Sequence, residues 1–131
     1  MSNARERSQF LIENINTAVL VFDKNLHLLT INTAGENLLS LSQRKITGQY
    51  IMEFLPGASR FAETIEKSLV SRQPYMEWGM DLVLPTSKSL IVDCTMSPWF
   101  EDDDCQEIIV EIVNAHSNAR VLREESLTQV H

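Results

Sequence analysis

The 131-residue sequence has few of the residues on which catalytic and metal-binding motifs depend. It contains only four glycines, and no two of them stand close enough for a glycine-rich phosphate loop. Neither of the two cysteines, Cys94 and Cys105, lies in a Cys-x-x-Cys spacing, so a zinc site has no support. The sequence also lacks Gly-x-Ser-x-Gly and His-Glu-x-x-His motifs. These absences argue against a self-contained enzyme and favour a sensing, binding or assembly domain.

Positive charge and long apolar runs are scarce as well. The chain has 11 Lys and Arg against 18 Asp and Glu, so its net charge is −7 and it repels phosphate backbones and anionic lipid. The longest purely apolar run, Ala18 to Phe22, is far too short to cross a bilayer. We therefore expect no direct nucleic-acid partner and no membrane partner. We expect the two thiols to stay reduced in a cytosolic protein.

The composition and the length of the chain are sufficient for one folded domain. With 44% hydrophobic and 22% charged residues, the composition is that of a soluble globular chain, and its length allows a core without metal or disulfides. Residues 1–4 include Ser2-Asn3-Ala4, which resembles a cloning remnant. We divide the remainder into an N-terminal flanking helix at 5–16, a main domain at 17–113, and the start of a C-terminal helix at 114–131.

Hydrophobic periodicity predicts an α+β domain. The expected order is a helix, two strands, several short helices, one longer helix at Ser59–Arg72, and three more strands. Thr33 and Glu36 predict a capping box at the first of the short helices. Because hairpins join the strands, we expect one antiparallel five-stranded sheet with the helices packed on one face. The predicted strands are Thr17–Asp23, Leu26–Asn32, Tyr75–Leu84, Lys88–Ser97 and Gln106–Val113.

Two patterns assign strands to positions in that sheet. Ala18–Phe22 and Ile108–Val113 are apolar at nearly every position, which predicts central strands that are covered on both faces. Since the short helices cover one face, we expect the terminal helices or a second molecule to cover the other. The strand after residue 75 alternates instead, which is typical of an edge strand. Its alternation places Met76, Trp78 and Met80 together on one face.

The first third of the sequence resembles the PAS domain, a small sensory and dimerisation module of signalling proteins. The resemblance covers about Leu11 to Val113 and implies the PAS fold. The last three strands agree with it in length and alternation. The segments that carry it are Ile12-Glu13-Asn14-Ile15, Ala18-Val19-Leu20-Val21-Phe22-Asp23, Ile31-Asn32-Thr33-Ala34-Gly35-Glu36 and Ile46-Thr47-Gly48.

More narrowly, the sequence is similar to the amino-terminal PAS domain of the NtrB family of nitrogen-regulation sensor histidine kinases. This likeness rests on Glu13 to Val19, Ala34 to Ser40 and Val92 to Pro98. It implies a cytoplasmic homodimer whose parent protein phosphorylates a response regulator and is controlled by a PII-type signal protein. The ATP-binding domain is missing, and His116 is not followed by the residues of a phosphoacceptor motif. We expect the 131-residue chain itself to have no kinase activity.

Two sets of residues are candidates for function. We expect the dimer to form through apolar side chains of the two flanking helices, which would pair across a two-fold axis. A second set is a candidate lining for a small-molecule pocket between helix and sheet, although core packing is the simpler interpretation. The interface set is Phe10, Leu11, Ile12, Ile15, Ala119 and Leu122. The pocket set is Phe61, Ile65, Met76, Trp78 and Met80.

The sequence supports no cofactor and no metal. His27 has the chemistry of a haem ligand or pH switch, but we interpret it as a partly exposed strand histidine. Flavin-based light sensors of the PAS family carry a cysteine in the short helices, and residues Thr33 to Leu55 contain none. Cys94 is expected in the core, and neighbouring aspartates are expected to raise the pKa of Cys105. The remaining alternative is a PAS sensor that binds a small molecule or cofactor and is attached to another output, such as a transcription activator.

Three carboxylates, Glu77, Asp81 and Asp93, are predicted to share one sheet face. Together they have the chemistry of a cation site or of an acid–base pair. No ligand loop with glycine or asparagine accompanies them, so we favour a solvated outer face.

Overall fold

Five strands and four helices make up residues 17–115, the part of the chain that the computed structural model describes. The strands are β1 (Ala18–Phe22), β2 (Leu28–Ile31), β3 (Tyr75–Val83), β4 (Ser89–Glu101) and β5 (Asp104–Asn114). The helices are α1 (Thr33–Leu39), α2 (Gln43–Ile46), α3 (Ile51–Phe54) and α4 (Ser59–Ser71), and all four lie between β2 and β3 in the chain.

The strands form one antiparallel sheet in the order β2-β1-β5-β4-β3. In the centre, Leu20 of β1 lies opposite Val110 of β5, and Cys94 of β4 lies opposite Ile112 of β5. The predicted α+β fold is confirmed, as is the central position of the two apolar strands. β4 extends to Glu101, four residues past the predicted end, because the hairpin to β5 turns on two residues only.

The helices close one face of the sheet, which we call the inner face. Alternate residues of the central strands point to this side and pack against the apolar side chains of the helices. The rings of Phe22 in β1 and Phe54 in α3 stack with their centroids 6.3 Å apart. The buried strand residues of this core are Ala18, Leu20, Phe22, Leu28, Ile31, Met80, Leu82, Val92, Cys94, Met96, Ile108, Val110 and Ile112.

A buried amide joins the first two strands to the first helix. Asn32 is 1% exposed, and its Oδ1 accepts hydrogen bonds from the backbone N–H groups of Val19 at 2.9 Å and Gly35 at 2.8 Å. Its Nδ2 donates to the carbonyl of Thr17 at 2.7 Å. A Cβ at Gly35 would meet Ile31 Cγ1 at 2.7 Å, so the helix can start this close to the strand only with glycine there. One side chain therefore sets the geometry of β1, β2 and α1 together.

The predicted capping box at Thr33 is wrong by one residue. The N-cap of α1 is Asn32, and the carboxylate of Glu36 accepts from the backbone N–H of Gln43 at 2.8 Å instead of turning back to the cap. Both Asn and Thr are good N-caps. Asn is the cap here because its amide also bonds to β1, a contact that no local pattern contains.

An arginine ties the end of α4 to the hairpin between β4 and β5. Arg72 is the C-cap of α4 and has a left-handed backbone with φ of 58°. Its guanidinium donates to the carboxylate of Asp103 at 3.2 Å and to the carbonyl of Asp102 at 3.0 Å. The same group lies 4.2 Å from the centroid of the Phe100 ring. The tip of the longest hairpin is thus held against the long helix.

Replacing Asn32 tests the role of this amide. We expect Asn32→Ala to lower the free energy of unfolding by about 2–3 kcal/mol, because the buried N–H groups of Val19 and Gly35 lose their acceptor. The measurement is urea unfolding followed by circular dichroism. Asn37→Ala, an exposed position in the same helix, is the matched control and should change stability by less than about 0.5 kcal/mol. Equal losses in the two variants would contradict this role of Asn32.

Candidate functional site on the outer face of the sheet

The inner face holds only part of the predicted pocket set. Phe61 and Ile65 of α4 and Met80 of β3 have side chains that are 0% exposed and pack in the common core. Met76 is 53% exposed and Trp78 is 64% exposed. The prediction that all five residues line one face is therefore wrong.

A β-bulge in β3 is the physical reason. Glu77 lies opposite Cys94 and Met80 lies opposite Val92, so three steps along β3 match two steps along β4. The additional residue reverses the faces of everything before it. At the bulge, Gly79 has φ of +64°, and its N–H donates to the Oδ1 of Asp93 at 2.9 Å. An isolated glycine inside an alternating strand is the sequence signal that could have indicated the bulge.

The bulge also moves a carboxylate to the helix side. Glu77 is turned inward, where its Oε1 accepts a hydrogen bond from the guanidinium of Arg60 in α4 at 2.5 Å. The predicted grouping of Glu77 with Asp81 and Asp93 on one face is therefore wrong. Among the described residues, no three His, Cys, Asp or Glu side chains come together in a way that would hold a metal ion.

On the opposite side of the sheet, β3 and β4 expose large apolar side chains. We define the outer patch as Met76, Trp78, Ile91 and Trp99. Ile91 is 53% exposed and Trp99 is 49% exposed, and both occupy the outward positions of β4. These side chains are spread along one face of β3 and β4, with Asp93, Thr95 and Ser97 at the outward positions between Ile91 and Trp99. Several large apolar side chains exposed on one face of a sheet favour an interaction site. The outer patch is the strongest candidate site within residues 17–115.

The outer face is apolar and acidic. Carboxylates accompany the outer patch at Asp81 of β3, Asp93 of β4, and Glu107 and Glu111 of β5. No Lys or Arg occupies an outward position of the five described strands. Asp93 accepts from the Gly79 amide, so it also takes part in the bulge. The described strand positions of this face therefore combine carboxylates with apolar side chains.

Strand β1 differs from β3 and β4 on this face. Its outward residues Val19 and Val21 are 1% and 3% exposed, so β1 is buried on both sides as its sequence predicted. Ile109 and Val113, the outward apolar residues of β5, are only half-buried. The exposure of the outward side chains thus increases across the sheet from β1 to β3. The predicted interface residues, Phe10, Leu11, Ile12, Ile15, Ala119 and Leu122, lie outside the described residues.

His27 lies at the edge of the sheet, in a β-bridge with Tyr50. Its side chain is 44% exposed, and its ring centroid is 5.9 Å from that of Tyr50. Its Nδ1 is 3.8 Å from the Oδ1 of Asp23, which also accepts the backbone N–H of His27. The predicted partial exposure is confirmed, but His27 lies one residue before β2, in an isolated bridge rather than in the strand itself.

Both cysteines are free thiols with raised pKa values. Burial raises the pKa of Cys94 to about 12, and the nearby carboxylates of Glu77 and Asp93 add to the effect. Burial also raises the pKa of Cys105, with a smaller opposing effect from Lys24. The predicted direction for Cys105 is confirmed, but desolvation is its main cause rather than the adjacent aspartates. Neither environment activates a thiolate.

Within residues 17–115, no helix combines the length and the apolar character that crossing a membrane requires.

Comparison with known proteins agrees with this architecture. Residues 6–112 match the family model of the PAS fold, and the chain belongs to this family. No curated protein matches the sequence.

Three solved structures illustrate the likeness. The PAS domain of nitrogen regulation protein NR(II) from Vibrio parahaemolyticus is 20% identical with a TM-score of 0.63, over 82% of this chain and 96% of that one. The PAS domain of BvgS from Bordetella pertussis is 19% identical with a TM-score of 0.64, over 98% and 99%. The LOV protein of Rhodobacter sphaeroides is 9% identical with a TM-score of 0.74, over 87% and 68%. At these identities the likeness shows a shared fold.

The thiol environments predict a large difference in reactivity. At pH 8 we expect Cys105 to react with an aromatic disulfide reagent, and Cys94 to react at least about 100-fold more slowly, because it is buried and its pKa is near 12. Absorbance of the released thiolate measures both rates. In Cys105→Ser the fast phase should disappear, and unfolding in urea should restore reaction at Cys94. Two thiols of equal rate in the folded protein would contradict the burial of Cys94.

Proposed function

We propose that this chain is the sensory and dimerisation PAS domain of a cytoplasmic two-component sensor histidine kinase for nitrogen regulation. The observation that carries the proposal is the outer face of the sheet. It is exposed and apolar at the outer patch and closed at β1, where Val19 and Val21 are buried. A surface of this kind suits a contact between two copies of the domain, since an isologous contact uses the same patch twice.

The direction of the chain suggests how such a dimer would relay a signal. β5 crosses the middle of the sheet and ends at Asn114, so it connects the sheet directly to the predicted C-terminal helix. If two copies pair through their outer faces and flanking helices, a shift within one sheet changes the relation of the two outgoing helices. The domain itself needs no catalytic group for this role. The kinase core would lie beyond His131.

The proposed role in nitrogen regulation is supported by similarity to other PAS domains in fold and in sequence. The NR(II) domain of Vibrio parahaemolyticus is named as a nitrogen regulation protein, and another PAS domain of similar fold belongs to a two-component sensor histidine kinase at 15% identity. The sequence similarity in residues 13–19, 34–40 and 92–98 points to the same family. The partners that follow are a response regulator, as acceptor of the phosphoryl group, and a PII-type signal protein, as controller of the parent kinase.

Sedimentation equilibrium of the 131-residue chain tests the dimer. We expect Ile91→Asp to weaken self-association roughly tenfold or more, because the dimer would have to bury a new carboxylate beside those of Asp81 and Asp93. Phe10→Asp should weaken it as well, through the flanking helix. Val70→Asp is the matched control, since Val70 is 87% exposed but lies on α4, away from the sheet. A monomer at every concentration, or equal behaviour of Ile91→Asp and Val70→Asp, would contradict the proposed interface.

The charge of the outer face adds an independent signature. Two copies of an acidic face repel each other, so raising the salt concentration to about 0.5 M should strengthen the dimer by screening. A contact based on ion pairs would weaken instead. The same measurement therefore separates an apolar, acidic interface from one that pairs opposite charges.

The kinase context has its own test. The coding sequence downstream of residue 131 is expected to continue into a phosphoacceptor helix and an ATP-binding domain. A DNA-binding domain there would contradict the kinase and favour the transcription-activator alternative. Deleting the gene should prevent induction of nitrogen-assimilation genes on nitrogen limitation, measured as transcript levels. Native mass spectrometry of the purified chain would reveal a bound metabolite if the domain is a ligand sensor instead.

A further inference from the structure

Strand β3 contains two patterns that disagree with each other. Its sequence alternates strictly, with Met76, Trp78, Met80 and Leu82 at every second position. In the structure, Met80 and Leu82 are 0% exposed, while Met76 and Trp78 are more than half exposed on the other face. The bulge at Gly79 separates the two halves. The alternation is therefore the pattern of a strand without the bulge.

Removing the bulge would reverse the first half of β3. If Met80 stays opposite Val92 and the pairing continues without an additional residue, Trp78 comes opposite Cys94 on the inner face. Met76 then comes opposite Met96, and Glu77 moves outward. Two large apolar side chains would leave water, while the Glu77 carboxylate and the half-buried Tyr75 ring, which Lys67 contacts in the observed register, would turn outward.

Specific contacts hold the observed register. The Gly79 N–H donates to Asp93, and Glu77 forms an ion pair with Arg60 on α4. Against these contacts stands the exposure of Trp78 and Met76, at 64% and 53%. Arg60 is 59% exposed, so its ion pair with Glu77 is weakened by solvent. In the other register, its guanidinium would be placed to stack on the Trp78 indole.

The neighbouring structure permits the shift. β3 is an edge strand and pairs with β4 alone, so only three residue pairs precede the bulge: Tyr75–Met96, Met76–Thr95 and Glu77–Cys94. The preceding residues 71–74 are all exposed. A shift by one residue moves this segment by roughly 3.3 Å along the strand. The exposed connection contains Arg72, whose solvent-exposed ion pair with Asp103 must move with it. No second ladder has to break.

We propose that β3 is a two-register switch, in which the Gly79 bulge either presents Met76 and Trp78 on the outer patch or withdraws them beneath α4. In the observed register the outer patch is complete. In the withdrawn register it loses two of its four side chains, and the Glu77 carboxylate and the Tyr75 ring turn to the outer face. The switch is internal to one chain and stands whether or not the outer face binds a second copy. If the outer face does bind a second copy, the withdrawn register is the one in which that copy dissociates.

Trp78 can report the register directly. In a Trp99→Phe background it is the only tryptophan, since the chain has two. Gly79→Val should favour the regular strand, because a β-branched residue is strained at φ of +64°. Its fluorescence should shift to shorter wavelength, and quenching by acrylamide should fall severalfold. Deleting Gly79 removes the additional residue while keeping Trp78 outward, so its fluorescence should remain that of an exposed indole.

Gly48→Val is the control for strain alone. Gly48 also has a positive φ, of +85°, and nothing lies within 4 Å of its missing Cβ, but it is remote from β3 in the chain. It should leave the Trp78 emission unchanged. Gly79→Val that folds cooperatively and still shows an exposed, fully quenchable Trp78 would overturn the proposal.

Fluorine NMR tests the switch with Gly79 in place. With 5-fluorotryptophan in the Trp99→Phe protein, we expect two exchanging resonances, and Glu77→Gln should increase the one that Gly79→Val selects. A single Trp78 resonance without exchange at all temperatures would overturn the proposal, including in the case where Gly79→Val fails to fold. Because these signals come from within one chain, a monomeric protein would leave the switch standing while removing the proposed dimer.

Discussion

The amide of Asn32 is the contact on which the arrangement of the domain depends. By binding the backbone of β1 and the first turn of α1 at once, it determines the side of the sheet on which the chain leaves β2. The three helices that follow add to the same side, and their apolar residues complete a core there. All of the helical material between β2 and β3 is thus used on one face. None of these four helices lies on the opposite face.

That division explains why the two faces differ in chemistry. The inner face is filled by apolar side chains that pack against one another, and Glu77 at its edge forms an ion pair with Arg60. The outer face mixes exposed aromatic and aliphatic groups with carboxylates and lacks cations at the described strand positions. Apolar groups favour association, while like charges limit it. A contact through a face of this composition would be weaker than one through a purely apolar face.

Most of the fold could be predicted from local patterns, because strands apolar at every position and tight hairpins determine a central antiparallel sheet. The bulge in β3 could not be predicted in this way. An additional residue leaves the composition of the strand unchanged, and an assignment of faces by alternation assumes that every residue advances the strand by one position. Met76 and Trp78 were therefore assigned to the wrong face, and with them part of the candidate site. The cap at Asn32 and the contact of Arg72 with Phe100 depend on partners distant in sequence. The residues expected to form the interface, such as Phe10 and Leu122, remain predictions.

Because Arg72 contacts the β4–β5 hairpin, the two ends of β5 have different surroundings. One end is fastened to the last turn of α4, and the other leads out of the domain at Asn114. An extended strand is stiff along its axis, and the 11 residues of β5 span roughly 36 Å. Because β5 is hydrogen-bonded to β1 on one side and to β4 on the other, it cannot slide past either strand, so the hairpin turn and the chain exit at Asn114 keep a fixed separation.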